Sequence, residues 1–192
     1  MKSIFIILFL FTFHLTFAQQ PSTIVEVCSG VTEDEVQDYA YFKDINHTFD
    51  KFIGTWKYIN GNEIVTFKIT KKTQIYDPEY KIFEDFLVGN YSYSTDGGIT
   101  VVVNTITAFV SDNPNYHPMY SSCAESDMIS FIFTDVILNK KSCWIYFEFL
   151  PSSLTQMQVK IVNPEGTVGR FEGEEPYNSN FTLPTEMVVI KQ

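Results

Sequence analysis

The sequence predicts an all-β fold: a single antiparallel up-and-down β-barrel of about eight to ten strands with a short N-terminal helix. Three observations carry that expectation. Aromatic residues make up 16% of the chain, most of them Phe and Tyr, and flat rings pack well across pleated strands. Apolar and polar residues alternate with period two in several stretches, as on strands with one buried and one wet face. Clusters of Gly, Asn, Asp and Pro separate these stretches at the short spacing of a meander, and a closed meander leaves no unpaired edge.

The chain's 192 residues suffice for one domain with a substantial core. Residues 1–18 carry Lys2, an apolar run over 4–13, and Thr16 and Ala18 just before Gln19. That is the pattern of a secretory signal peptide cleaved after Ala18, and the run is short for a membrane span. A secreted or periplasmic location is expected. Residues 19–43 form a polar, acidic N-terminal arm in which Val25, Val27 and Val31 suggest an extended chain. The barrel domain is assigned to 44–192.

Within 44–53, Ile45, Phe49, Phe52 and Ile53 have helical spacing, with Asp44 as N-cap and Gly54 as the stop. This segment is the expected helix, covering one end of the barrel. Strands 55–59 and 64–70 flank Asn60-Gly61-Asn62, residues that tolerate positive φ, and Val65, Phe67 and Ile69 alternate with Thr66, Lys68 and Thr70. Residues 71–79 are assigned as a polar connection. The strand at 80–94 is expected to bulge or bend at Gly89. Asp96-Gly97-Gly98 then turns the chain into 99–104. A long polar loop, 111–127, precedes strands 129–138 and 142–150, which are apolar on both faces for much of their length. Strands 156–163 and 167–171 follow, with Met157, Val159 and Ile161 facing inward. After a second polar loop, 172–180, the strand 187–191 closes the sheet.

A formal charge of −10, with Arg170 the one arginine, argues against a nucleic-acid partner. Glu172, Glu174 and Glu175 read as a solvated loop. In an oxidising compartment the preferred disulfide joins Cys123 and Cys143, which flank a hairpin, leaving Cys28 unpaired or paired between molecules. In the alternative, Cys143 is a buried thiol within an apolar strand.

Gly54-x-Trp56, opening the first strand of an antiparallel meander behind a short helix, resembles the lipocalin-like (calycin) barrels. The stretches YFKDINHTFDKFIGTWKYING, FEDFLVGNYSYS, FEFLPSS and LPTEMVVIKQ resemble, over nearly the whole mature chain, an uncharacterised family of small secreted proteins from flavobacteria and their relatives. That second resemblance implies fold and export and no activity. The lipocalin resemblance implies a structural role for Trp56, closing the barrel base under a cation supplied by Lys191 or Arg170.

Residues with chemical potential are few. His47 and His117 lack any paired metal-ligand spacing, and no nucleophile motif such as G-x-S-x-G is present. Asp112, Asn113 and Asn115 offer oxygens, yet read better as an Asx-rich turn than a calcium loop. Glu84 and Asp85 are adjacent, so on a strand they face opposite ways and form no glycosidase pair. Asn46, Asn90 and Asn180 head formal glycosylation sequons, which in a bacterial chain are chance matches. No metal, cofactor or enzymatic activity is expected. The expected function is that of a monomeric binding module for a small apolar ligand, lined by Phe67, Ile69, Tyr91, Tyr93, Val101, Val103, Ile132, Tyr146 and Met157. The alternative is an extracellular or envelope interaction protein that meets a protein or glycan through loops 111–127 and 172–180.

Overall fold

The computed structural model describes residues 21–107, 111–163 and 179–192. Two short strands, β1 (Ile24–Glu26) and β2 (Tyr41–Lys43), belong to the N-terminal arm. The barrel strands that follow are β3 (Gly54–Asn60), β4 (Glu63–Asp77) and β5 (Ile82–Ser94). After the two-residue β6 (Val103–Asn104) come β7 (Met119–Ser121), β8 (Met128–Asp135), β9 (Lys140–Phe149), β10 (Gln156–Val162) and β11 (Glu186–Lys191). The expected strand at 167–171, Arg170 and the acidic run of Glu172, Glu174 and Glu175 lie outside the described residues.

Eight strands close into an antiparallel ring in the order β3, β4, β5, β7, β8, β9, β10, β11. The seam between β11 and β3 is short, pairing Ile190 with Lys57 and Lys191 with Trp56. One edge of the long strand β5 serves three partners in succession. It takes β2 in parallel at Phe83 and Glu84, β7 at Leu87 to Gly89, and β6 at Ser92 and Tyr93.

Alternation along the ring strands fills the interior. Val65, Phe67 and Ile69 of β4, Ile145 and Phe147 of β9, and Met157 and Val159 of β10 are all buried. Rings meet across the middle. Phe67 on β4 and Phe147 on β9 stand on opposite walls, yet their centroids are 5.2 Å apart in an edge-on contact. Phe131 adds a ring 5.6 Å from Phe147, and Tyr91 bridges Phe67 at 6.5 Å to Phe133 at 5.6 Å. The barrel is therefore closed through its centre by side chains, as an eight-stranded barrel permits.

Several expectations are corrected. Residues 44–53 form consecutive turns and no helix. Asp44 does bond the N–H groups of Thr48 and Phe49, but His47 at φ 56° leaves helical space and breaks the run. Residues 71–77 continue β4, with an irregularity between Lys72 and Ile75 where Gln74 has φ 53°. Gly89 stands in unbroken register opposite Ile69, so there is no bulge at it. Its hydrogen makes room for Met119, because a Cβ there would stand 2.8 Å from the Met119 Cε. Only Val103 and Asn104 of the expected strand 99–104 pair, while β7 forms inside the segment assigned to loop 111–127. Cys123 bonds Cys28, with Cα atoms 5.3 Å apart. Cys143 points into the core opposite Phe133 and keeps its thiol.

Candidate functional site

The ring's base is built by its closing residues. Gly54 opens β3 at φ 136°, a conformation that L side chains rarely adopt, and a Cβ there would meet the Lys191 Cε at 3.1 Å. That close approach lets the Lys191 ammonium lie 5.0 Å from the Trp56 ring centroid while donating to the Lys51 carbonyl. The Trp56 indole donates to the Phe52 carbonyl at 2.8 Å, and its ring packs edge-on against Phe149. The indole N–H and the ring are thus both used in closing the base.

The residues expected to line an apolar ligand site do not converge on a lumen. Phe67, Ile69, Tyr91 and Met157 are wholly buried in mutual contacts, and Tyr93 and Val103 are buried at the far rim. Val101 and Ile132 face solvent, and Tyr146 is half-buried on the outer face. Strands β8 and β9 are apolar on both faces, so alternation alone leaves their inward set ambiguous. Register resolves it: Phe131 and Phe133 go in, paired with Ile145 and Cys143, and Ile132 and Tyr146 go out. The Tyr91 hydroxyl accepts from the Val136 N–H at 3.1 Å, and burial pushes that phenol well above its ordinary range.

Beside the base, two buried carboxylates secure the arm. Asp85 accepts from the Tyr41 hydroxyl at 2.6 Å, the Asp44 N–H at 3.1 Å and the Gln74 N–H at 2.9 Å. The bulge in β4 thereby satisfies its outturned N–H. Burial first, then the bond to Asp85, raise the Tyr41 phenol. Burial pushes the Asp44 carboxyl up, but the Lys71 ammonium at 2.7 Å and the bonds from Thr48 outweigh it, leaving the group lowered. At the rim, Asp135 binds the Thr182 N–H and hydroxyl and holds the last described segment against the barrel.

The clefts lie outside the ring. One, of about 370 Å³, is lined by Ile75, Asp77, Glu79, Glu84 and the start of the segment 112–118. A second, of about 450 Å³, is lined by Tyr116, His117, Tyr120, Ile132 and Lys141. Pro114 and Asn115 belong to both, so 112–118 stands as a ridge between them. The ridge is pinned to the barrel. Asp112 pairs with Lys72 at 2.7 Å, and the Pro118 carbonyl accepts from the Thr134 N–H. His117 donates from Nε2 to the Ser111 carbonyl at 2.8 Å and accepts at Nδ1 from the Asn90 amide at 3.2 Å. The Asn113 side-chain oxygen accepts from the Asn115 N–H, so this part of the ridge is an Asx turn. Tyr116 projects from its crest, 61% exposed.

Glu84 and Asp85 face opposite ways, as adjacent strand residues must. Asp85 anchors the arm, while Glu84 sits on the outer face and contributes to a third cleft, of about 240 Å³, beneath residues 27–33. The disulfide, the Asp85 network and the setting of Glu84 have no local sequence signal: their partners are 95 residues apart in the first case and on separate elements in the others.

A family profile spans residues 1–192. The chain belongs to a family of unknown function (DUF6705). No curated protein and no solved structure matches it. What this family member can recognise therefore rests on its own geometry. Among the described residues no group of three metal-ligating side chains converges, and no helix is long and apolar enough to cross a membrane. The Cys28–Cys123 disulfide is consistent with an extracellular or periplasmic setting.

Proposed function

We propose that this chain is an exported, non-enzymatic interaction module that recognises a protein or glycan through the ridge 112–118 and its flanking clefts. On this reading the barrel is a lipocalin-like scaffold whose calyx is filled. What carries it is the contact of opposite walls through Phe67 and Phe147, which occupies the space a small apolar ligand would need. The ridge, in contrast, offers an exposed tyrosine between two clefts on a segment held through its side chains by Lys72 and Asn90 and through its backbone by Thr134. Segments fixed before binding lose less entropy on binding, and tyrosine supplies contact area at low rotamer cost. The signal-like residues 1–18 and the disulfide support export.

The test compares wild type with Tyr116→Ala combined with Asn115→Ala, on a saccharide array and on immobilised cell-surface protein fractions. The expected outcome is at least a tenfold loss of binding by the variant with an unchanged melting curve. Equal binding by both proteins counts against the ridge. Stoichiometric uptake of an added fatty acid in native mass spectrometry, with shifted Phe67 and Phe147 resonances, returns the ligand to the interior.

A further inference from the structure

Residues 29–39 cross the outer face of the sheet as a strap between two anchors. At one end Cys28 is bonded to Cys123, and at the other Ala40 is wholly buried and its carbonyl accepts from the Phe83 N–H. Between the anchors lies a 3-10 turn, Glu33–Glu35, whose side chains are all acidic and none of them buried. Under the strap is the cleft of about 240 Å³, walled by Val31, Thr32 and Glu33 on one side and by Phe42, Ile82 and Glu84 on the other. Glu84 also borders the cleft of about 370 Å³ beside the ridge, so it is common to both.

The surroundings of the Glu84 carboxyl are one-sided. The Tyr120 hydroxyl of β7 donates to it at 3.3 Å. Acidic residues border both clefts that it lines: Asp77, Glu79 and Asp112 beside the ridge, and Glu33 under the strap. The lysines of β4 and of the turn before β5 are paired with other carboxylates: Lys72 with Asp112, Lys71 with Asp44, and Lys81 with Asp38 at the end of the strap. Asp85, which also lines the cleft under the strap, points its carboxylate away from Glu84 and is engaged with Tyr41 and two backbone N–H groups.

We propose that Glu84 is a protonation switch for the strap: while its carboxyl is neutral the acidic turn Glu33–Glu35 lies over the cleft, and when it ionises the turn is driven away and the cleft opens. Ionising a partly desolvated carboxyl between two others costs free energy that the fold relieves by moving the exposed acidic element among them. That element is the strap, because Asp77 is fixed by its bonds from the N–H groups of Glu79 and Tyr80. Burial, opposed by the Tyr120 bond and reinforced by Asp77 and Glu33, holds the Glu84 carboxyl up to about 7. The switch therefore works across neutral pH, well above the range in which exposed carboxylates titrate.

The experiment is a carbon-detected NMR titration of the Glu84 carboxyl in the full chain with its disulfide intact, from about pH 5 to about pH 9. Backbone amide shifts of residues 29–39 are followed in the same samples. Expected is a Glu84 midpoint near 7, tracked by the amides of Glu33–Glu35 at the same midpoint. In Glu84→Gln those amides stay at their low-pH positions throughout. Glu33→Gln, on the exposed turn where folding is not at risk, lowers the Glu84 midpoint, and Tyr120→Phe raises it. A Glu84 midpoint in the ordinary carboxylate range overturns the proposal. So does a neutral-pH transition of the strap that persists in Glu84→Gln, or a Glu84 midpoint that Glu33→Gln leaves unmoved.

Discussion

The closed ring and the N-terminal arm are held by different balances of forces. In the ring, opposite walls meet through Phe67, Phe147, Phe131, Tyr91 and Phe133, so its cohesion is apolar burial and close packing. In the arm, β1 and β2 add only a few ladder pairs, Val27, Ala40 and Phe42 reach the core, and polar and covalent fastenings do the rest, among them one disulfide, the Asp38–Lys81 ion pair and the buried carboxylates Asp44 and Asp85. The difference teaches where this protein responds to conditions. Packing is indifferent to pH and redox state, whereas the arm's fastenings depend on both.

The largest effect expected on either side is from Phe147→Ala. Removing a ring that touches both Phe67 and Phe131 costs about 3–5 kcal/mol. Urea unfolding should show it as a global loss that is the same at acidic and neutral pH.

Replacing both Cys28 and Cys123 by Ser should cost about 2–5 kcal/mol, because the bridge closes a separation of 95 residues. Hydrogen exchange should place early opening in residues 21–43 while the ring strands stay protected. Uniform loss of protection across the ring would erase the distinction between the two regions.

Asp85→Ala leaves the Tyr41 hydroxyl and the N–H groups of Asp44 and Gln74 without their acceptor. A cost of about 1–3 kcal/mol is expected, with exchange accelerated at Asp44 and Gln74. Lys191→Met, which keeps the stem over Trp56 and removes the ammonium, should cost about 0.5–2 kcal/mol. Trp56 fluorescence reports it directly.

The subtlest effect is a pair of opposed pH dependences confined to the arm side. Asp44 is lowered in the folded state, so its contribution is present above its unfolded pKa and is lost as pH falls through the folded value. Glu84 is raised to about 7, so its contribution is present below its unfolded value of 4.5 and is lost as pH rises toward 7. Exchange rates corrected for intrinsic chemistry should be slowest for residues 21–43 between those limits, while the ring centre stays flat.

Much of the ring is legible in the order of its residues. Val65, Phe67 and Ile69 alternate cleanly with polar residues, so only one face is available for burial, and Asn60-Gly61-Asn62 has the residues a tight hairpin needs. Where both faces are apolar, as in β8 and β9, alternation puts Ile132 and Tyr146 on the wrong side, because the period-two signal vanishes. Helical spacing at Ile45, Phe49 and Phe52 is a false lead. Phe49 and Phe52 are buried, Ile45 is exposed, and the backbone turns at His47 so that Asp44 meets Lys71. The candidate site is less legible. Tyr116 and Asp112 sit in a loop expected to carry recognition, but Glu84 stands out only as half of an adjacent pair.

The sequence alone determined the class of fold, the Gly54 and Trp56 start of the ring and the inward set of the strands whose faces differ, because these follow from local periodicity and backbone preference. Only the tertiary structure decided that Cys28 bonds Cys123, that Asp85 secures the arm, that turns and not a helix span residues 44–53, that rings from opposite walls meet inside the barrel and that Glu84 lines two clefts. Each of these depends on which distant residues arrive at one place. No local pattern encodes that arrival; ring closure and register do.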